Sequence, residues 1–85
     1  MAGYRIFFRQ SVYRDLKKIP GKDLQAIMKL IESLARNPRP RGCEKLSGKE
    51  QYRVRHGRYR IVYSIQDDVL TIWIVKVGQR KDVYR

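Results

Sequence analysis

The apolar positions of this chain change period along its length, and the changes outline a fold. Tyr4, Ile6 and Phe8 fall on one side of an extended chain, with Arg5 and Phe7 on the other. Alternate side chains of a strand point this way, so residues 4–8 read as a first strand. From Ser11 the period lengthens. Val12, Leu16 and Ile19 recur at helical spacing, with Arg14, Lys17 and Lys18 outside the stripe, and Pro20-Gly21 punctuates the end. Leu24, Ile27, Met28, Ile31, Leu34 and Ala35 make a wider helical stripe, stopped by Asn37-Pro38 and kept from restarting by Pro40. The few residues between the two stripes predict an antiparallel helical hairpin. Arg39 to Lys49 reads as loop.

The second half returns to a period of two. Gln51 to Ile65 reads as two strands around a turn at His56-Gly57, where glycine accepts the positive φ of a tight hairpin. Tyr52, Val54, Tyr59, Ile61, Tyr63 and Ile65 form a core face. Arg53 and Arg55 on one strand, and Arg58 and Arg60 on the other, form the opposite face. Antiparallel pairing then gathers four arginines on one patch, and like charges across a ladder repel. Gln66-Asp67-Asp68 reads as a turn. Val69 to Val77 is almost continuously apolar, as in a central strand covered on both faces. The whole predicts a single α+β domain over residues 1–85. An N-terminal strand and an antiparallel helical hairpin precede the strands that complete a mainly antiparallel four-stranded sheet packed on the helices.

Charge sharpens this outline. The chain has 20 Lys and Arg against 8 Asp and Glu, a net charge of +12. Such a surface suits nucleic acid. A membrane surface is disfavoured because the basic residues interleave with strand positions and build no basic amphipathic helix. No run approaches a membrane span, and no apolar h-region marks a signal peptide. The single cysteine, Cys43, allows no internal disulfide and fits a reducing cytoplasm.

The usual catalytic sets are missing: no Ser-His-Asp, no Cys-His pair, no phosphate loop and no metal-ligand spacing. Glu44 and Glu50 are loop residues near the patch. His56, the one histidine, sits at the turn out of phase with Arg53 and Arg55 and is a rival base. Arginine and tyrosine are what the chain has in quantity. Arginine grips phosphate bidentately and stabilises charge that develops there. RNA carries its own nucleophile in the 2′-hydroxyl, so its cleavage needs alignment, charge stabilisation and proton transfer, with no metal or cofactor. A tyrosine among guanidiniums is a candidate base, since positive charge lowers its pKa.

The run Tyr52-Arg53-Val54-Arg55, then Gly57-Arg58-Tyr59-Arg60-Ile61-Val62-Tyr63, Val77-Gly78-Gln79-Arg80 and Asp82-Val83-Tyr84, resembles the RelE family of toxin–antitoxin toxins. The N-terminal strand and helical hairpin fit as well, so the resemblance covers essentially the whole chain. It implies a ribosome-dependent endoribonuclease that cuts mRNA in the ribosomal A site and so inhibits translation. It further implies an antitoxin from the same operon. By motif, Arg53 and Arg55 match two basic residues, commonly lysines, that hold the RNA phosphate, and Arg58 and Lys81 extend that contact set. Arg60 matches the arginine that stabilises the transition state. Arg80 matches one assigned to leaving-group protonation or phosphate contact, and Tyr84 matches the general base.

Two other readings compete. The ParE branch of the same superfamily poisons DNA gyrase and lacks the clustered RNA-cleaving residues. A non-catalytic RNA-binding module would stack bases on exposed aromatics. On the first reading the expected partners are the ribosome, mRNA and an acidic antitoxin. Because the helices cover one face of the central strand, apolar surface is expected to remain near the arginines. A disordered antitoxin segment would bury it by folding along the domain.

Overall fold

The computed structural model describes residues 3–46 and 50–79. The element order is β1 (Arg5–Phe8), α1 (Gln10–Lys17), α2 (Gly21–Leu34), β2 (Glu44–Lys45), β3 (Gln51–His56), β4 (Tyr59–Gln66) and β5 (Thr71–Gln79). The strands form one sheet in the order β1-β5-β4-β3-β2. β1 runs parallel to β5 and the other pairs are antiparallel. The α+β outline therefore stands, with one addition. Glu44–Lys45, read as loop, forms a two-residue edge strand against Arg53 and Tyr52.

One face of the sheet carries the helices. Val12, Ile27, Ile31 and Leu34 meet Ile61, Tyr63, Ile72, Ile74 and Val77 in a single buried cluster. These are the positions that the helical and alternating periods single out, because burial of apolar area rewards one stripe per helix and one side per strand. Pro20 stands just before α2, and Asp23 places a carboxylate in its first turn, where the helix dipole favours negative charge. Asp15 ties α1 to β5: its carboxylate accepts from Lys76 Nζ at 3.2 Å and from the Val77 N–H at 3.3 Å.

The long loop after α2 is fastened by tyrosines and one ion pair. Tyr63 Oη donates to the Pro38 carbonyl at 2.7 Å. Arg39 lies 5.1 Å from the Tyr52 ring centroid and forks onto Asp67 at 2.8 and 3.3 Å. Tyr4 Oη donates to the same carboxylate at 2.6 Å.

Two strand ends differ from the sequence reading. The tight turn is Gly57-Arg58, with His56 opposite Tyr59, and not His56-Gly57. Gly57 has φ of +59°. Positive φ at the first central residue alone is the pattern of a type II′ turn, which glycine permits without a Cβ clash. The apolar run from Val69 does not start β5. Asp67–Val69 forms a single 3₁₀ turn, and Leu70 follows at φ 48°. Reversing β4 into β5 consumes these residues, leaving Val69 61% and Leu70 42% exposed.

The fully buried Ile72 on β5 anchors the centre of the core. Ile72→Ala is expected to cost about 2–5 kcal/mol, the range for deleting a buried aliphatic side chain. Urea denaturation followed by circular dichroism reads this directly; a loss below about 1 kcal/mol would place the core elsewhere.

Candidate functional site

The register of β3 and β4 assembles the arginine patch. Arg55 and Arg60 are cross-strand Cα partners, and Arg53 lies two residues from Arg55 on the same side of β3. All three therefore share the sheet face that the helices leave open. Across β5 the partner of Arg60 is Gly78, which puts no side chain against it. Exposure is graded across the patch. Arg60 is 3% exposed. The Arg53 side chain is 14% exposed and that of Arg55 56%. The deepest cation is thus the one whose field water screens least.

Glu44 completes the cluster, and the sequence reading undervalued it. As the edge partner of Arg53, it accepts from Arg53 Nη2 at 2.9 Å and stands 3.7 Å from Arg55 Nη2. Its carboxyl is held below the ordinary range, first by the Arg53 hydrogen bond and charge, then by Arg55 and Arg60. A carboxylate stabilised this way is a poor proton acceptor but a good occupant of a phosphate-shaped site. The signal was available in the sequence only as an acidic residue near a basic strand; pairing it with Arg53 needs β2.

Arg58 does not join this face. As the second residue of the turn it borders a separate hollow on the helix side, with Lys18, Pro20, Asp23, His56 and Tyr59. The expected four-arginine face is therefore three in this part of the chain, because the turn falls one residue later than expected. His56 also borders the helix-side hollow, which agrees with its being out of phase with Arg53 and Arg55. Arg80, Lys81 and Tyr84 lie outside the described residues.

The described tyrosines whose protonation is perturbed are all held protonated. Burial pushes Tyr63 up, well beyond the range of a working base. Burial, then the Asp23 carboxylate 3.2 Å away, raises Tyr59. The Asp67 hydrogen bond raises Tyr4. All three belong to the core side or the loop anchor, away from the arginines. Among the described residues no group of three His, Cys, Asp or Glu could hold a metal ion, and no helix is long and apolar enough to cross a membrane.

Comparisons with known proteins identify the family. Residues 6–84 match the family model described as the ParE toxin of type II toxin–antitoxin system, parDE. Toxin RelG of Mycobacterium tuberculosis is 34% identical over 96% of this chain and 97% of its own. In structure, a chain of the toxin–antitoxin complex RelBE2 from the same organism superposes with a TM-score of 0.80 at 31% identity, covering 92% of this chain and 99% of that one. A chain of the archaeal RelE–RelB complex from Pyrococcus horikoshii gives 0.82 at 29% identity, covering 91% and 94%. The chain belongs to the RelE/ParE superfamily of type II toxin–antitoxin toxins, and its relatives make it a RelE-type member.

Acid should detach Glu44 from its arginines. Its depressed folded pKa means that it contributes stability above the ordinary value of 4.5, and that this contribution is lost as pH falls through the folded value. Melting curves of the wild type and Glu44→Gln are expected to differ by a constant amount above about pH 5 and to converge in stronger acid. A difference that grows on acidification would contradict the pairing.

Proposed function

We propose that this toxin is a metal-free endoribonuclease that cuts mRNA in the A site of the ribosome and so stops translation. The observation that carries the reading is the convergence of Arg53, Arg55 and the buried Arg60 on one open sheet face. Three guanidiniums at that range repel, so the arrangement suits an anion with several oxygens. The phosphodiester of RNA is such an anion and lies beside its own nucleophile.

On this reading, Arg53 and Arg55 hold the phosphate in place, and Glu44 yields Arg53 to it. Arg60 stabilises the negative charge that builds on the non-bridging oxygens as the 2′-hydroxyl attacks phosphorus. The bond to the 5′-oxygen of the next nucleotide breaks, leaving a 2′,3′-cyclic phosphate and a 5′-hydroxyl. Two proton transfers are needed. Tyr84 is assigned as the base that takes the 2′-hydroxyl proton. Arg80 protonates the leaving oxygen or supports its charge, and Lys81 adds a contact to a neighbouring phosphate. Among the described residues Glu44, Tyr4, Tyr59 and Tyr63 are unsuited to the base role by the shifts above, which supports a base from the C-terminal motif. The cognate partner is an acidic antitoxin whose segment folds over the open face. The relatives from Mycobacterium tuberculosis and Pyrococcus horikoshii are in toxin–antitoxin complexes, and opposite charge would speed the partner's encounter with a +12 chain.

Primer-extension mapping of an mRNA incubated with the protein, with and without ribosomes, tests the whole reading. Cuts in codon register that appear only with ribosomes are expected. The second reading, gyrase poisoning, is favoured by the ParE description of the matching family model; it predicts DNA-damage signalling with no mRNA cuts. Arg60→Ala should lower cleavage by about a hundred- to thousandfold, the scale of losing one charge-stabilising donor. Circular dichroism should show the variant folded. Wild-type cutting by folded Arg60→Ala would end its assignment. Tyr84→Phe should lose roughly a hundredfold in the chemical step with ribosome affinity nearly unchanged. A fully active Tyr84→Phe would move the base elsewhere, with His56→Gln the next variant to assay.

A further inference from the structure

The open sheet face carries a feature that the cleavage chemistry does not use. Phe7 on β1 and Trp73 on β5 are cross-strand partners. Their rings stack with centroids 5.1 Å apart and planes 28° from parallel. Each residue remains 38% exposed, although aromatic rings are among the side chains that gain most from burial.

Register puts this pair on the arginine face. Trp73 is opposite Ser64, and Ser64 is opposite Gln51. Along β4, Ser64, Val62 and Arg60 alternate onto one side; along β3, Gln51, Arg53 and Arg55 do the same. From Ser64 to Arg60 is four strand residues, or about 13 Å. A groove of about 880 Å³ runs past Trp73, bordered by Arg9, Ser64, Gln66, Val69 and Thr71. The Arg5 guanidinium lies 5.6 Å from the Phe7 ring centroid. In the groove wall, Gln66 Nε2 donates to Ser64 Oγ at 3.1 Å, and Gln66 Oε1 is buried with no hydrogen-bond partner among the described residues. Whichever way that amide is turned, one of its polar ends is left over. Along the described strands of this face the acidic position is Glu44, which is paired with Arg53.

We propose that Phe7 and Trp73 form a stacking platform for a base of single-stranded RNA whose phosphates run onto Arg60, Arg53 and Arg55. This deepens the RNA-cleavage reading and rests on it. Every base offers a π-face, so such a platform positions the strand with little sequence preference. Cations flank the rings, hydrogen-bonding side chains edge them, and Val69 is the aliphatic side chain that borders the groove with them. That matches a base, whereas a docked amphipathic helix needs anchors repeated along a longer stripe.

Trp73 is the only tryptophan, so intrinsic fluorescence reads the platform directly. The purified protein is titrated, without ribosomes, with a short single-stranded 2′-O-methyl RNA that cannot be cleaved, and with an abasic strand of equal length and charge. Saturable quenching is expected from the RNA and not from the abasic strand, although both compete for the arginines. Trp73→Leu, followed by anisotropy of labelled RNA, should weaken binding roughly five- to hundredfold while leaving abasic-strand affinity unchanged. Phe7→Leu keeps the reporter and should reduce the quenching if Trp73→Leu fails to fold. Equal quenching by the abasic strand, or RNA binding without quenching, overturns the platform. Quenching by an acidic antitoxin segment but not by RNA would assign the face to protein docking. Concentration-dependent burial of Trp73 would assign it to a second copy of the chain; either result overturns the proposal. Because the probe cannot be cleaved and no ribosome is present, failure of the cleavage reading leaves this measurement interpretable. Normal cleavage with no quenching sinks the platform alone.

Discussion

The pairing of β3 with β4 is the constraint on which the rest depends. It sets Arg55 directly across from Arg60, a like-charge juxtaposition that a sheet would normally avoid. The same pairing sets Val54 against Ile61 and Tyr52 against Tyr63 on the reverse side. Burial of those residues holds the register, because a slip by one would turn the apolar set into water and the arginines into the core. The repulsion on one face is therefore maintained by the apolar cluster on the other. A concentrated positive field is what the fold tolerates in return for its core.

Among the described residues, Glu44 is the carboxylate that answers this field at the rim. Glu44 reaches Arg53 from a strand only two residues long, at the edge of the sheet. An edge pair half open to water contributes little stability and exchanges readily. It neutralises part of the patch. Arg60 is deeper and far less exposed. A cation held in the floor with others at the margin suits the proposed phosphoryl chemistry, since preorganised charge costs no rearrangement during reaction.

The two faces of the sheet differ in kind. The helix side carries the core, and Tyr59 and Tyr63 there are held protonated by burial or by a neighbouring carboxylate. The open side combines guanidiniums, a stacked aromatic pair and a groove edged with small polar groups. The apolar surface expected there from reading Val69 to Val77 as a strand covered on both faces includes Phe7 and Trp73, and is not a continuous strip from Val69. The 3₁₀ turn withdraws Val69 and Leu70 from the strand and leaves both exposed, with Val69 at the border of the groove.

Much of this was legible in the residues themselves. Periods of two and 3.6 placed the helices, three of the four main strands and nearly every buried side chain, because burial acts on single faces. The G-x-Y-R-hydrophobic-V-Y run marked Arg60, and alternation alone put Arg53 and Arg55 beside it. The tertiary structure decided what depends on pairing across the chain. Turn position is one case: a one-residue shift at Gly57-Arg58 took Arg58 off the arginine face, and local composition does not distinguish the two turns. Glu44 is another, since its contact with Arg53 exists only once β2 pairs with β3. The stack of Phe7 on Trp73 is a third. Its partners are 66 positions apart, and only the parallel pairing of the first strand with the last brings them together.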